Sequence, residues 1–157
     1  VAKHCPIVIQ NGMAELLNEA IASIDPLHIS VCNNAIWAIG EVCAKCVGNA
    51  ASLQPFAQDI VQGLISLLSE ADYTTMPMDG VVENASTAMG RLAKVDVAFV
   101  SNDLPRFLVK WCDGCSKISD MMERRDAFEG LMLAIQANPS SITASTTTNV
   151  DDNLTTI

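Results

Sequence analysis

"CNNAIWAIGE" (residues 32–41) returns as "VENASTAMGR" (82–91) when the chain is slid by 50 positions. Asn34 falls on Asn84, Ala35 on Ala85, Ala38 on Ala88 and Gly40 on Gly90. A slide of 92 adds "RDAFEGLMLAI" (125–135), where Asp126, Ala127 and Gly130 meet Asn34, Ala35 and Ala38. That third match is looser, since Met132 takes the place of Gly40. Small residues kept at fixed places on a helix are what close helix–helix approach requires.

Working outward, prolines mark the same period. Pro6, Pro55 and Pro105 open "PIVIQNGMAELLNEAI", "PFAQDIVQGLISLLSE" and "PRFLVKWCDGC". Proline is tolerated in a first helical turn and breaks later ones. Pro26 and Pro77 precede the second set of runs, and "SKISD" (116–120) precedes the third member. The sequence therefore predicts an all-α solenoid of about three antiparallel helix pairs, near 6–46 (6–23 with 27–46), 54–94 (54–70 with 77–94) and 102–137 (102–115 with 120–137). A helix pair at this period fits HEAT-type repeats, whose unit is about 40–47 residues. The competing architecture is a plain helical bundle with three coincidentally similar segments. Residues 1–140 form the predicted repeat region. After Pro139 the helical period stops, and the Ser/Thr-rich tail, 141–157, is expected to be poorly ordered.

Bulk composition agrees with helices. The 157 residues are 50% apolar but only 4% aromatic, and Ala, Leu, Ile, Val and Met favour helix over a β-sandwich. With 9 Lys and Arg against 18 Asp and Glu, the net charge is −9. That argues against a nucleic-acid binder and suits a soluble surface or a basic partner. No apolar run reaches the roughly 18 residues of a membrane span. The first residues do not read as a signal peptide. With no initiating Met, the chain is expected to start partway through something longer. Six cysteines without secretory context predict reduced thiols in a cytoplasmic or nuclear protein.

A helix turns about 100° per residue. With Ala35 at zero, Ala38, Ile39 and Val42 lie within about 60° of it and form the predicted core stripe. Trp37 lies about 200° away, Asn33 near 160° and Ile29 near 120°, so these three make a ladder on the opposite face. The corresponding ladders are Asp79, Glu83, Thr87 and Met121, Arg125, Glu129. An open Trp on a solenoid is an anchor for an extended peptide. Asn33 and Asn34 are placed to hold a peptide backbone, since an amide side chain both donates and accepts. Glu83 is placed to pair with a basic residue. In the alternative reading Trp37 packs against the next repeat and the asparagines cap local turns.

"WCDGCSK" (111–117) has the spacing of a thioredoxin-type redox pair, but it falls late in a predicted helix with no strand before it. Cys43, Cys46, Cys112 and Cys115 have four-thiolate zinc arithmetic, but the first pair ends a helical run and the two pairs sit in different repeats. Neither is preferred to ordinary core thiols. His4 and His28 have no partner at motif spacing, and no Gly-rich phosphate loop occurs. No catalytic, metal-binding or cofactor-binding residue is assigned, and the chain is not read as an enzyme. "MMERRD" (121–126) reads as a solvated, mixed-charge helix face.

"ISVCNNAIWAIGE", "ENASTAMGRLAK", "VKWCDGCSKISD" and "RRDAFEGLMLAIQANPSS", in this order, resemble the C-terminal HEAT repeats of the transportins, the karyopherin-β2 nuclear import receptors of the importin-β superfamily. The likeness runs from about Ile29 to Ser141. It implies a right-handed solenoid whose inner helices hold proline-tyrosine-type nuclear localisation signals, this arch taking the basic or hydrophobic upstream part. The residues it carries over are Ile29, Asn33, Asn34 and Trp37, with Asn84 and the position of Thr87. Two places depart from the family pattern. Thr87 stands where a larger aliphatic side chain is usual, and Met78 stands where a proline is usual, with Pro77 one place earlier. The resemblance also implies residence in cytoplasm and nucleus, and release of cargo by the GTPase Ran through N-terminal repeats that this chain lacks. A structural HEAT scaffold holding folded partners is the alternative function. A stack of three repeats is expected to expose apolar area at its end and to self-associate.

Overall fold

The computed structural model describes residues 6–70 and 78–143, with side chains from residue 12 onward except residue 70. The helices are α1 (Pro6–Ala22), α2 (Ile29–Lys45), α3 (Ala57–Glu70), α4 (Asp79–Val95), α5 (Ala98–Ser101), α6 (Leu104–Lys117) and α7 (Met121–Ala137). No strand occurs among the described residues. The three pairs are α1 with α2, α3 with α4, and α6 with α7, and α5 is a single turn leading into α6. Pro77 and Cys5 lie outside the described residues. Of the expected tail, Ser141–Thr143 continue as a helical turn with Ser141 buried, and the rest lies outside the described residues.

Local chemistry explains the boundaries. Asp25 Oδ1 accepts from the Leu27 N–H at 2.9 Å and turns the chain through a short 3₁₀ segment into α2. Asp120 Oδ1 accepts from the N–H groups of Met122 and Glu123, satisfying two orphan donors at the start of α7. Pro105 sits in the first turn of α6, where its missing N–H costs nothing.

Helices α2, α4 and α7 are each 17 residues long, and their first residues, 29, 79 and 121, keep the offsets of the sequence overlay. They stack side by side in one row, and α1, α3 and α6 form the other. This is the all-α solenoid expected of the repeat. The row is drawn tight by the small residues. A Cβ on Gly40 would meet Ala88 Cβ at 3.4 Å, and one on Gly90 would meet Ala127 Cα at 2.5 Å. So α4 and α7 approach until only glycine fits, and the same place on α2 faces alanine.

Between the rows lies one continuous core, including Leu17, Ile36, Ile39, Ile60, Leu64, Met89, Leu92, Phe107 and Trp111. Each such side chain contributes about 1.5–3 kcal/mol on burial. Trp111 is fully buried, its ring 5.7 Å from that of Phe107. Its Nε1–H donates to the Ser86 carbonyl at 3.1 Å. Ala35, Ile39 and Val42 are buried as the stripe predicts, but Ala38 is only half-buried. Its counterparts Ala88 and Gly130 are covered by the preceding helix of the row, and among the described residues no helix of that row lies before α2.

Candidate functional site

The face of α2 turned from the core begins with Ile29, runs through Asn33 and reaches Trp37. Trp37 is half-buried and is not among the partly covered side chains that pack against the core. Ile29 is also half-buried, but it does pack there, so the first rung leans inward. Asn34 is exposed. Asn33 and Asn84 come together between helices: Asn84 Nδ2 donates to Asn33 Oδ1 at 2.9 Å. Gly80 lies under this pair, where a Cβ would stand 3.6 Å from Asn33 Oδ1. The bond leaves the Asn33 amide N–H groups and the Asn84 oxygen able to meet one donor and one acceptor, the set a peptide unit offers.

The rungs on α4 differ from the sequence expectation. Thr87 is buried, and its hydroxyl donates to the Glu83 carbonyl at 2.9 Å, one turn back. A Thr bonded this way lies against its own helix, and α4 has a neighbour on both sides. Thr87 is therefore floor, not rung. Glu83 Oε2 accepts from the Ser119 N–H at 3.1 Å and hydroxyl at 3.3 Å, tying α4 to the start of α7.

Two acidic residues that the overlay did not single out extend this rung. Burial pushes the Glu123 carboxyl above its ordinary value; Arg91 opposes that rise, and the charges of Asp120, Glu41 and Glu83 add to it. The carboxylates of Glu41, Glu83, Asp120 and Glu123 thus lie within electrostatic reach of one another between α4 and α7, with Arg91 among them. Beneath them runs a charged chain across the row. Glu41 bonds Arg91 at 2.9 Å, Arg91 bonds Asp126 at 3.0 Å, and Lys94 bonds Asp126 at 2.7 Å and Glu129 at 2.6 Å. Asp126 is therefore a bridge between helices, not part of a solvated face as "MMERRD" suggested. Glu41 and Arg91 occupy the same place in the overlay with opposite charges, which was the available signal. Arg124 turns back and donates to the carbonyl of Ile118, the residue that caps the end of α6.

Cys32, Cys43, Cys46 and Cys115 are buried free thiols and Cys112 is exposed. Burial pushes the Cys43 and Cys115 thiols up to about 12. A reactive thiol needs the opposite shift. Among the described residues no three His, Cys, Asp or Glu side chains gather as a metal-ligand group. No helix of the described residues is long and apolar enough to cross a membrane.

No family model matches the chain. Similar curated proteins do exist. The chain is 32% identical over 140 residues to Transportin of Dictyostelium discoideum, covering 89% of this chain and 14% of that protein. It is 32% identical over 151 residues to Transportin-1 of Oryza sativa subsp. japonica, covering 94% and 16%. It is 28% identical over 142 residues to Transportin-1 of Homo sapiens, covering 90% and 15%. The chain thus spans 14–16% of the length of these relatives.

Proposed function

Because this chain belongs to the transportin branch of the importin-β family of nuclear import receptors, we propose that it contributes part of a cargo-binding surface for nuclear localisation signals of the proline-tyrosine type. The surface is Ile29, Asn33, Asn34 and Trp37 on α2 with Glu83 and Asn84 on α4, over a floor that includes Thr87. One observation carries this reading: Trp37 stays partly exposed beside the Asn33–Asn84 amide pair, whereas Trp111, the other tryptophan, is sealed in the core. An indole so placed covers an apolar side chain or the stem of a Lys or Arg. The carboxylates of Glu83, Glu123 and Asp120 beside it suit basic residues that follow.

The partners are cargo proteins with linear signals. Ran acts on the full-length receptor through repeats outside this segment, and the receptor shuttles between cytoplasm and nucleus. Three repeats offer only part of the surface, so affinity for an isolated peptide is weak. The test is titration of a fluorescently labelled proline-tyrosine-type signal peptide against the chain and against Trp37→Ala. Truncating a central aromatic anchor costs about 2 kcal/mol or more, which is a loss of more than tenfold in affinity. Equal affinity for the two proteins overturns the reading.

A further inference from the structure

The sequence overlay puts residue 123 on the same place as Val31 and Val81. Val81 is 1% exposed on α4, which has α2 before it in the row. Val31 is 56% exposed on α2, which among the described residues has no helix before it. The preceding helix is therefore what covers this place. On α7 the preceding helix is α4, and the residue is Glu123, partly buried. A carboxylate thus stands where the other two repeats have valine, on the side of α7 that faces into the chain.

The surroundings of Glu123 do not neutralise it. Among the described residues its carboxylate makes no hydrogen bond and no ion pair. Glu83 and Arg91 on α4, Glu41 on α2 and the capping Asp120 lie within electrostatic reach. Arg91 is the opposing cation among them, and it is already bonded to Glu41 at 2.9 Å and to Asp126 at 3.0 Å. Glu83 accepts from Ser119 in the turn just before α7, which ties a second carboxylate to this end of the junction. On α7 itself Arg124 donates to the Ile118 carbonyl and Arg125 bonds Glu129 at 3.2 Å. On α6 Lys117 bonds Asp113 at 3.4 Å, and α5 carries no charged side chain.

We infer that Glu123 is a pH-sensitive element of the α4–α7 junction: protonated, it fills the valine place as a neutral side chain, and ionised, it weakens the junction. A partly desolvated carboxylate beside other carboxylates is disfavoured when charged. Burial first, and then the charges of Asp120, Glu41 and Glu83, push the Glu123 carboxyl above its ordinary value of 4.5 against the pull of Arg91. A carboxyl whose folded pKa is raised contributes stability that is complete below the unfolded value and lost as pH rises through the folded one. For Glu123 that loss starts at 4.5 and runs upward. Asp126, three residues on, is held below its ordinary 3.8 and works in the opposite direction. The junction is therefore firmest in the mildly acid range where the two windows meet, and weaker at neutral pH.

Urea midpoints of the full chain, measured against pH for the wild type and Glu123→Gln, test this. Glutamine keeps the shape and cannot ionise, and circular dichroism checks that the variant folds. At neutral pH the variant is expected to have the higher midpoint, and the two curves are expected to meet below 4.5. A second measurement keeps the side chain in place. The Glu123 carboxyl carbon, followed by NMR in the wild type, is expected to titrate above 4.5 and to shift to lower pH in Glu83→Gln. A Glu123→Gln midpoint equal to or below that of the wild type at neutral pH overturns the inference. So does a Glu123 resonance that titrates at or below 4.5, or one that Glu83→Gln leaves unmoved.

Discussion

Trp111 and Trp37 show how differently one residue type is used on the two sides of a helix row. Trp111, on α6, has no exposed surface; it stacks near Phe107 and spends its only polar atom on the Ser86 carbonyl. Trp37, on α2, is partly exposed and is not among the described side chains that pack against the core. Both stand in helices of the same repeat family, so helix propensity does not separate them. What separates them, among the described residues, is that Trp111 lies between the two rows of helices while Trp37 lies on the face of α2 turned from the core. The sealed side is held by close packing that leaves no room for change. The open side carries amides and carboxylates whose bonding is only partly used.

The sharpest way to break this contrast is to force the sealed side apart. A Cβ at Gly130 would stand 2.1 Å from the Gly90 carbonyl oxygen and 2.5 Å from Gly90 Cα. Both obstacles are backbone, so no rotamer change relieves them. Gly130→Val is expected to cost more than about 4 kcal/mol, beyond ordinary point mutations. Urea denaturation would show a lost or non-cooperative transition. A near-normal midpoint would mean that α4 and α7 do not meet as described.

Next in size is the direct exchange of the two aromatics for alanine. Trp111→Ala leaves a cavity and strips the Ser86 carbonyl of its donor, at a cost of about 3–5 kcal/mol. Trp37→Ala is expected to cost under about 1 kcal/mol, as surface substitutions do. Thermal melts of the two variants should therefore differ widely. Equal destabilisation would place Trp37 in the core and remove the basis of the open face.

The sequence made the helix row legible because its requirements are strict. Close approach demands small residues at fixed places, and Ala35, Gly40, Gly90, Ala127 and Gly130 recur for that reason. Periodicity located the ladder but not its exposure. An angle of about 200° puts Thr87 and Trp37 on the same face, yet among the described residues α4 has neighbours in its row on both sides and α2 on one. Ala38 differs from Ala88 for the same reason. Which positions are open depends on where in the row a helix stands, and no local pattern records that. The charged chain was hidden for another reason. Asp126 overlays two asparagines, so similarity by place concealed a change of charge, and its partners Arg91 and Lys94 are more than 30 residues away.

The smallest effect concerns that chain, which links the sealed row to the open face. Burial by itself would raise the Asp126 pKa. The hydrogen bonds from Lys94 and Arg91, with their charges, outweigh burial and hold it below its ordinary value of 3.8. A carboxylate whose folded pKa is depressed contributes stability that is complete above the unfolded value. That contribution fades as pH falls through 3.8 toward the folded pKa. Asp126→Asn removes this dependence while keeping the side-chain shape. At neutral pH the variant is expected to be less stable than the wild type, with the two curves of urea midpoint against pH converging on the acid side. Curves that stay parallel down to the acid limit would show that the charge of Asp126 contributes nothing, and the joint between α4 and α7 would then rest on the glycines alone.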